Sequence, residues 1–341
     1  MKARNYMVDL CRFIAAVMIM LCHLDLVGTD TYPTYMFVDF FFILSGYFTV
    51  AHFAKQKYVS SPDKRGRIAL IYTAKKFVPF LPHLLVALPI VYASSNYHYL
   101  AGGNFGGFIA GFGDMFAELL LLPINFFSSG FRLIGPLWYL SALLFTMPLF
   151  SYICQSKYRR PIGYVGLIFA YLYFSMQDCI SAFDPVSALC ICASCMFIGM
   201  FVYDVVLEIK GKKISNKMRI FATAVELVCL AYCIIAAVSW NMPVKMQVIA
   251  YIAMLIVMLS NTSYTAKLKV SFFSWLGKIS MPLFIWHYVV GRILLHFVPV
   301  WSTRRLVILF FACSFVVAIV AHYFANFILR RLSQKQEKTT S

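Results

Sequence analysis

The feature that most restricts this chain is a succession of apolar runs, each about 20 residues long, from one end to the other. A run of that length crosses the roughly 30 Å hydrocarbon core of a bilayer as a helix. Of the 341 residues, 62% are hydrophobic and only 13% are charged, and the mean hydropathy is +0.78. A soluble domain with that composition would have no polar exterior. The fold class is therefore an all-α, polytopic membrane helical bundle with no room for a separate soluble domain. The runs place spans at about 7–27, 36–54, 77–94, 134–154, 161–178, 186–207, 220–239, 246–262, 275–297 and 304–329. Residues 1–332 form one membrane domain, and 333–341 read as a polar, disordered cytosolic tail. No internal repeat is visible.

The segment 108–127 is ambiguous, because Asp114, Glu118 and Pro123 interrupt it and glycines crowd the approach to it. Charge asymmetry arbitrates. With the N-terminus inside and 108–127 dipping without crossing, the basic stretches 55–76, 157–160, 208–219, 267–269 and 330–338 all fall in the cytosol. Asp30, Asp178 and Asp184 then face outward. This gives about ten crossings plus one re-entrant or interfacial helix, in a multi-pass cell-membrane protein with both termini cytosolic. Arg304 and Arg305 stay on the wrong side of that arrangement. The opening residues are not a cleavable leader: Lys2 and Arg4 imitate one, but Asp9, Arg12, His23 and Asp25 break the apolar core it needs.

The net charge of +17 does not call for nucleic acid, because the basic residues sit in short segments beside apolar runs, where orientation in the membrane accounts for them. The ten cysteines are scattered. The run Cys190, Cys192 and Cys195 is apolar on both sides and reads as helix packing, not as a metal or redox site.

Against this apolar background the ionisable residues carry the information, since each costs about 2.5–3.5 kcal/mol within a span even on lenient scales. Arg12 and His23 lie in the first run. Eleven residues on one helix turn through about 1100°, which returns both to one face about 16 Å apart along the axis. Asp9 is within ion-pair reach of Arg12. In the second run, VDFFFILSGYF, Asp39 sits at the outer end and Ser45-Gly46 near the middle, a pair suited to a helix-packing notch or to close approach of a narrow ligand. Residues 55–79 hold seven Lys or Arg against Asp63, a density that fits an inside-positive loop or a phosphate-bearing ligand. No GxxxxGK[ST] phosphate cradle exists to make this an ATPase. Arg132 and Trp138 open a later span, and Pro282, Trp286, His287 and Arg292 share the penultimate one.

Together these pieces resemble the membrane acyltransferase type 3 family. The matching residues are Asp9, Arg12 and His23 in the first span, VDFFFILSGYF at 38–48, KKFVP at 75–79, WYL at 138–140 and SMPLFIWH at 280–287. Some members carry a Glu where this chain has Leu143, so no role for that acid carries over. The resemblance covers the membrane domain only. It implies an O-acyltransferase that moves an acyl group from cytosolic acyl-CoA to a hydroxyl of an extracytoplasmic envelope glycan or related acceptor, with acetyl the commonest group by family habit. No permanently bound cofactor and no metal are expected. Acyl-CoA is the co-substrate, and the other partners are the acceptor and membrane lipid.

His23 is the expected general base or transient acyl carrier, roles that imidazole fills near neutral pH. Arg12, with Asp9, is placed near the cofactor's anionic head. Asp25 or Asp39 would orient the imidazole. His287, Trp286 and Ser45 are candidates for positioning or for stabilising the acyl oxygen. Arg65, Arg67, Lys75 and Lys76 are the expected contacts to CoA phosphates. The alternative function is a secondary transporter or flippase using the same Arg, Asp and His as a path, against which stands the missing repeat.

Overall fold

The structure is a computed structural model that describes residues 4–56, 61–122, 133–176, 185–239, 243–297 and 303–340. Its regular elements are helical, and no strand occurs among the described residues. In chain order the helices are α1 (Tyr6–Leu21), α2 (Phe37–Phe53), α3 (Pro62–Phe77), α4 (Leu81–Ser95), α5 (Tyr97–Ala101), α6 (Phe105–Ala110), α7 (Phe112–Leu119), α8 (Leu137–Cys154), α9 (Arg159–Ser175), α10 (Pro185–Ile209), α11 (Asn216–Val238), α12 (Val244–Ser260), α13 (Ser271–Phe297) and α14 (Thr303–Thr340).

Six helical stretches among the described residues are long and apolar enough to cross a membrane: Thr34–Phe53, Pro62–Ser95, Leu137–Cys154, Val186–Ile209, Asn216–Val238 and Arg304–Leu332. Val244–Ser260 is a shorter apolar helix. The chain is thus an all-helical membrane protein.

Three local readings of the sequence are corrected. The first helix stops at Leu21, two residues short of His23. The His23 amide bonds back to Met20 at 3.0 Å, and a 3-10 turn over Leu24–Val27 follows, closed by Gly28 at φ +75°. The helical register that put Arg12 and His23 on one face therefore does not extend to His23. The basic stretch is not a loop over its described length, because 62–77 forms α3. Pro62 opens this helix, Asp63 lies in its first turn and Lys75 and Lys76 in its last, charges that complement the helix dipole. Ala69, Tyr72, Thr73 and Phe77 bury one stripe. The tail is also helical, since α14 continues to Thr340.

Segment 108–127 is broken where it is described. Gly111 separates α6 from α7, and Leu121 takes a left-handed conformation at φ 52° just past the end of α7. Residues 123–127 lie outside the described set, as do Arg132, Asp178 and Asp184.

Contacts divide the chain into two compact units, Met1–Ile19, Tyr32–Thr73 and Ala142–Gly277 in one, and Met20–Thr31, Ala74–Ser141 and Lys278–Ser341 in the other. In the first, α2 is buried on nearly every side, as expected of an apolar helix at the centre of a bundle. It meets α10 backbone to backbone. A Cβ on Gly46 would lie 2.3 Å from the Met196 carbonyl oxygen, and one on Gly199 would lie 2.2 Å from that of Ile43. Helix α9 also approaches α10 through glycines, but there they seat side chains, Gly163 under the Met200 side chain and Gly166 under the Phe197 ring. Without a hydrophobic effect between helices in lipid, such close approach supplies the packing energy. Cys192 and Cys195 are fully buried on α10, in keeping with packing. In the second unit, α4 packs with α7 and α14.

Gly46→Val and Gly199→Val should each destabilise the protein, by at least the ~1–3 kcal/mol typical of overpacking, because the obstructing atoms are backbone. Gly66→Ala on α3, where a Cβ meets nothing within 4 Å, should instead stabilise the protein, by up to ~1 kcal/mol. Thermal unfolding in detergent compares the three.

Candidate functional site

The second unit gathers the most chemistry, at the turn that ends the first helix. His23 stands there, half-buried. The turn is seated against α13 because Gly291 has no side chain: a Cβ there would lie 2.7 Å from Leu26 Cδ1 and 3.2 Å from Phe310 Cε2. One turn earlier on α13, His287 faces His23 with ring centroids 5.3 Å apart and planes 32° apart. Tyr288 stands edge-on to His23, also at 5.3 Å.

The protonation of His287 follows from its partners. Its ring bonds the Leu283 carbonyl at 2.9 Å through Nδ1. A carbonyl can only accept, so Nδ1 carries the hydrogen and the neutral ring's lone pair is at Nε2. That Nε2 is buried without a hydrogen-bond partner among the described residues, and the whole residue is 0% exposed. Its other ring neighbours, Phe284 and Phe310, are apolar. Tyr288 is fixed from two sides. Arg292 Nη2 donates to its hydroxyl at 3.2 Å, and Gly135, just ahead of α8, leaves room for its ring.

Trp286 is engaged elsewhere. Its indole N–H donates to His83 Nδ1 at 3.2 Å, which leaves His83 protonated at Nε2. That bond gives no support to Trp286 as an acyl-oxygen donor. His83, buried on α4, is a site residue that the sequence reading passed over. An ionisable side chain inside the apolar run 77–94 was the available signal.

Glu118 was also passed over. It is 1% exposed on α7. Its carboxylate accepts the amides of Leu133 and, at 3.1 Å, Ile134. These amides lie immediately before α8, where backbone donors have no helical partner. The acid thus anchors the start of α8, and Asp114 and Pro123 nearby had obscured it as one interruption among several.

The remaining candidates fall in the first unit, apart from Asp25, Lys75 and Lys76. Asp9 is buried, bonded to Arg4 and 3.9 Å from Arg12 Nη1, and the bare Cα of Gly277 admits its side chain. The expected Asp9–Arg12 pair is present, with Arg4 as an unforeseen third member. Asp39 is 2% exposed in the first turn of α2. Ser45 Oγ donates to the Phe41 carbonyl at 2.8 Å, so its proton is committed within its own helix. Ser45-Gly46 is the helix-packing notch, and nothing in this geometry supports an oxyanion role for Ser45. Arg65 is half-buried with its guanidinium 4.9 Å from the centroid of the Tyr152 ring. Arg67, Lys75 and Lys76 are exposed on α3. Asp25 is exposed, and the rings packed on His23 are those of His287 and Tyr288, not a carboxylate.

Comparison with known families assigns the class. The model of the Acyl_transf_3 family, described as an acyltransferase domain, matches residues 5–325. The chain belongs to this acyltransferase 3 family of membrane acyltransferases. No curated protein and no solved structure matches it.

Glu118→Ala should cost about 2–3 kcal/mol of stability, because two buried amides lose a charged acceptor. Glu118→Gln should recover part of that. Unfolding temperatures of the purified proteins give the order wild type, Gln, Ala.

Proposed function

We propose that the protein transfers an acyl group, acetyl by family habit, from cytosolic acyl-CoA to a hydroxyl of an extracytoplasmic envelope glycan or related acceptor. The observation that carries this reading is His23: a half-buried imidazole outside the helical ladder, packed by a second buried imidazole and a tyrosine. A base so placed is accessible from one side and held on the others.

In this reading His23 takes the proton from the acceptor hydroxyl. The oxygen attacks the thioester carbonyl, the C–S bond breaks, and the CoA thiolate receives a proton. The products are the ester and free CoA. A positioned base supplies about 10²–10⁴-fold of the rate. Arg12, held by Asp9, and the basic residues of α3 are assigned to the anionic head of the donor. Asp39 keeps a supporting role at the outer end of α2.

The topology belongs to the same proposal. We assign about ten crossings with both termini in the cytosol, and segment 108–127 dips without crossing. Two observations favour this. Keeping 108–127 from crossing leaves the basic segments inside. The eight residues of α7 reach only about 12 Å.

His23→Ala should abolish acyl transfer while the protein remains inserted and folded. The assay is release of CoA thiol from acetyl-CoA by proteoliposomes supplied with an envelope-glycan extract, alongside mass spectrometry of that extract. Acylation near the wild-type level in this variant would remove His23 from the chemistry.

Neutralising Arg67, Lys75 and Lys76 should raise the acetyl-CoA concentration needed for half-maximal rate and flatten its dependence on salt, because fewer ion contacts remain to be screened. Acceptor dependence should stay as it is. Identical donor curves at low and high salt, in correctly oriented protein, would return α3 to a purely topological role.

A further inference from the structure

We infer that His287 is the positioning partner of His23: its buried Nε2 accepts the His23 ring N–H, fixing the tautomer in which the opposite nitrogen of His23 takes the acceptor's proton. This inference rests on the assignment of His23 as the base.

The argument begins with an accounting problem. An unmade hydrogen bond on a buried polar atom costs about 1–3 kcal/mol. Phenylalanine or leucine would fill the position without that cost. Yet α13 places an imidazole there and spends a backbone carbonyl, that of Leu283, on holding its Nδ1–H at 2.9 Å. The result is a ring locked with its acceptor nitrogen inward and unpartnered. Of the three rings packed on it from the turn, from its own helix and from α14, those of Phe284 and Phe310 carry no donor, and the third is His23.

The titratable and charged groups around the pair are few. Tyr288 lies edge-on to His23, and its hydroxyl accepts from Arg292. Asp25, two residues beyond His23, is exposed. No carboxylate is packed between the two rings, so the orienting acceptor is a neutral imidazole. At a centroid separation of 5.3 Å, two ring nitrogens turned toward each other would stand about 3 Å apart, within hydrogen-bond range. Catalytic hydrogen bonds of this kind tighten when substrate binds.

The chain then reads from the backbone outward: the Leu283 carbonyl accepts from His287 Nδ1–H, His287 Nε2 accepts from one nitrogen of His23, and the other nitrogen of His23 meets the acceptor hydroxyl. Each bond polarises the next. His287 exchanges no proton in the step. The proton leaving the hydroxyl stays on His23 until the departing CoA thiolate takes it. His287 raises the basicity of His23 and holds it in line, as a second group does for any histidine base.

The test compares His287→Gln, which keeps an acceptor at the reach of Nε2, with His287→Phe, which fills the volume without one. Acetyl-CoA-dependent CoA release is measured in proteoliposomes with the envelope-glycan extract. His287→Phe should lower kcat about 10²-fold with the KM for acetyl-CoA within about twofold, and His287→Gln should recover at least tenfold of that loss. A packing role predicts the reverse order, because the amide is the poorer apolar filler. ¹⁵N spectra of the His23 ring supply the second readout: one tautomer in the wild type and in Gln, a mixture in Phe. Wild-type kcat in His287→Phe overturns the inference, as does a mixed His23 tautomer in wild-type protein, a reading that stands even where the variants fail to fold. His23→Ala, run alongside, separates the two levels. If it is inactive while His287→Phe is normal, only the pairing fails. If it is active, the assignment of His23 as base fails.

Discussion

Every polar group carried into hydrocarbon must find a partner within the protein, because neither lipid nor water will supply one there. The arrangement of this chain follows from how each such group is matched. Asp9 is held between Arg4 and Arg12. Glu118 receives two backbone amides. Glu226, 0% exposed on α11, accepts from the Thr265 hydroxyl at 2.6 Å. Arg159 and Asp204 pair at 2.9 Å between α9 and α10. These pairs are means of specifying which helix meets which, since apolar surface alone does not discriminate between helices in a bilayer. The matching is incomplete, since Glu226 Oε2, Arg159 Nη1 and Arg292 Nε are also buried without a hydrogen-bond partner among the described residues; what sets His287 Nε2 apart is that its ring packs on a second histidine.

The functional reading grows from that pairing of two histidines. A fully satisfied polar residue in a span reports on assembly. One left with an open lone pair, next to a second histidine at a break in a helix, is the place where the proposed chemistry is sought. The break itself contributes. A residue inside the ladder of α1 would be held by its neighbours, one turn above and below. Beyond Leu21 the chain is released into a 3-10 turn, and the imidazole is aimed by α13 instead of by its own helix. Membership of the acyltransferase 3 family gives the chain its reaction class.

Much of the architecture was legible in the sequence, because the bilayer imposes a length and a hydropathy that composition reveals directly. Each predicted span holds a helix over most of its described residues, and the Asp9–Arg12 pair followed from a spacing of three. The glycine notch at Ser45-Gly46 was visible as a possibility, and the partner Gly199 made it definite. What the sequence withheld was of two kinds. Helix ends are decided by a few local hydrogen bonds and one left-handed glycine, so a periodic extrapolation ran past Leu21 to His23. Long-range partners such as Trp286 with His83, 203 residues apart, leave no trace in local spacing. The basic stretch misled differently. Its charge was read as loop solubility, while the buried stripe of Ala69, Tyr72, Thr73 and Phe77 already had the periodicity of an amphipathic helix.

The crossing of α2 and α10 limits how the first unit can move. Packed helices often accommodate change by sliding past each other in small steps on a cushion of interlocking side chains. At Gly46 and Gly199 there is no cushion, only main chain against main chain. A slide of one turn, about 5.4 Å, would drive the flanking side chains into a gap too narrow for a methyl group. Sliding at this junction therefore carries a steric cost that an interface of interlocking side chains would not. An opening that admits or releases a bulky ligand is therefore cheaper at joints where side chains, not main chain, form the contact.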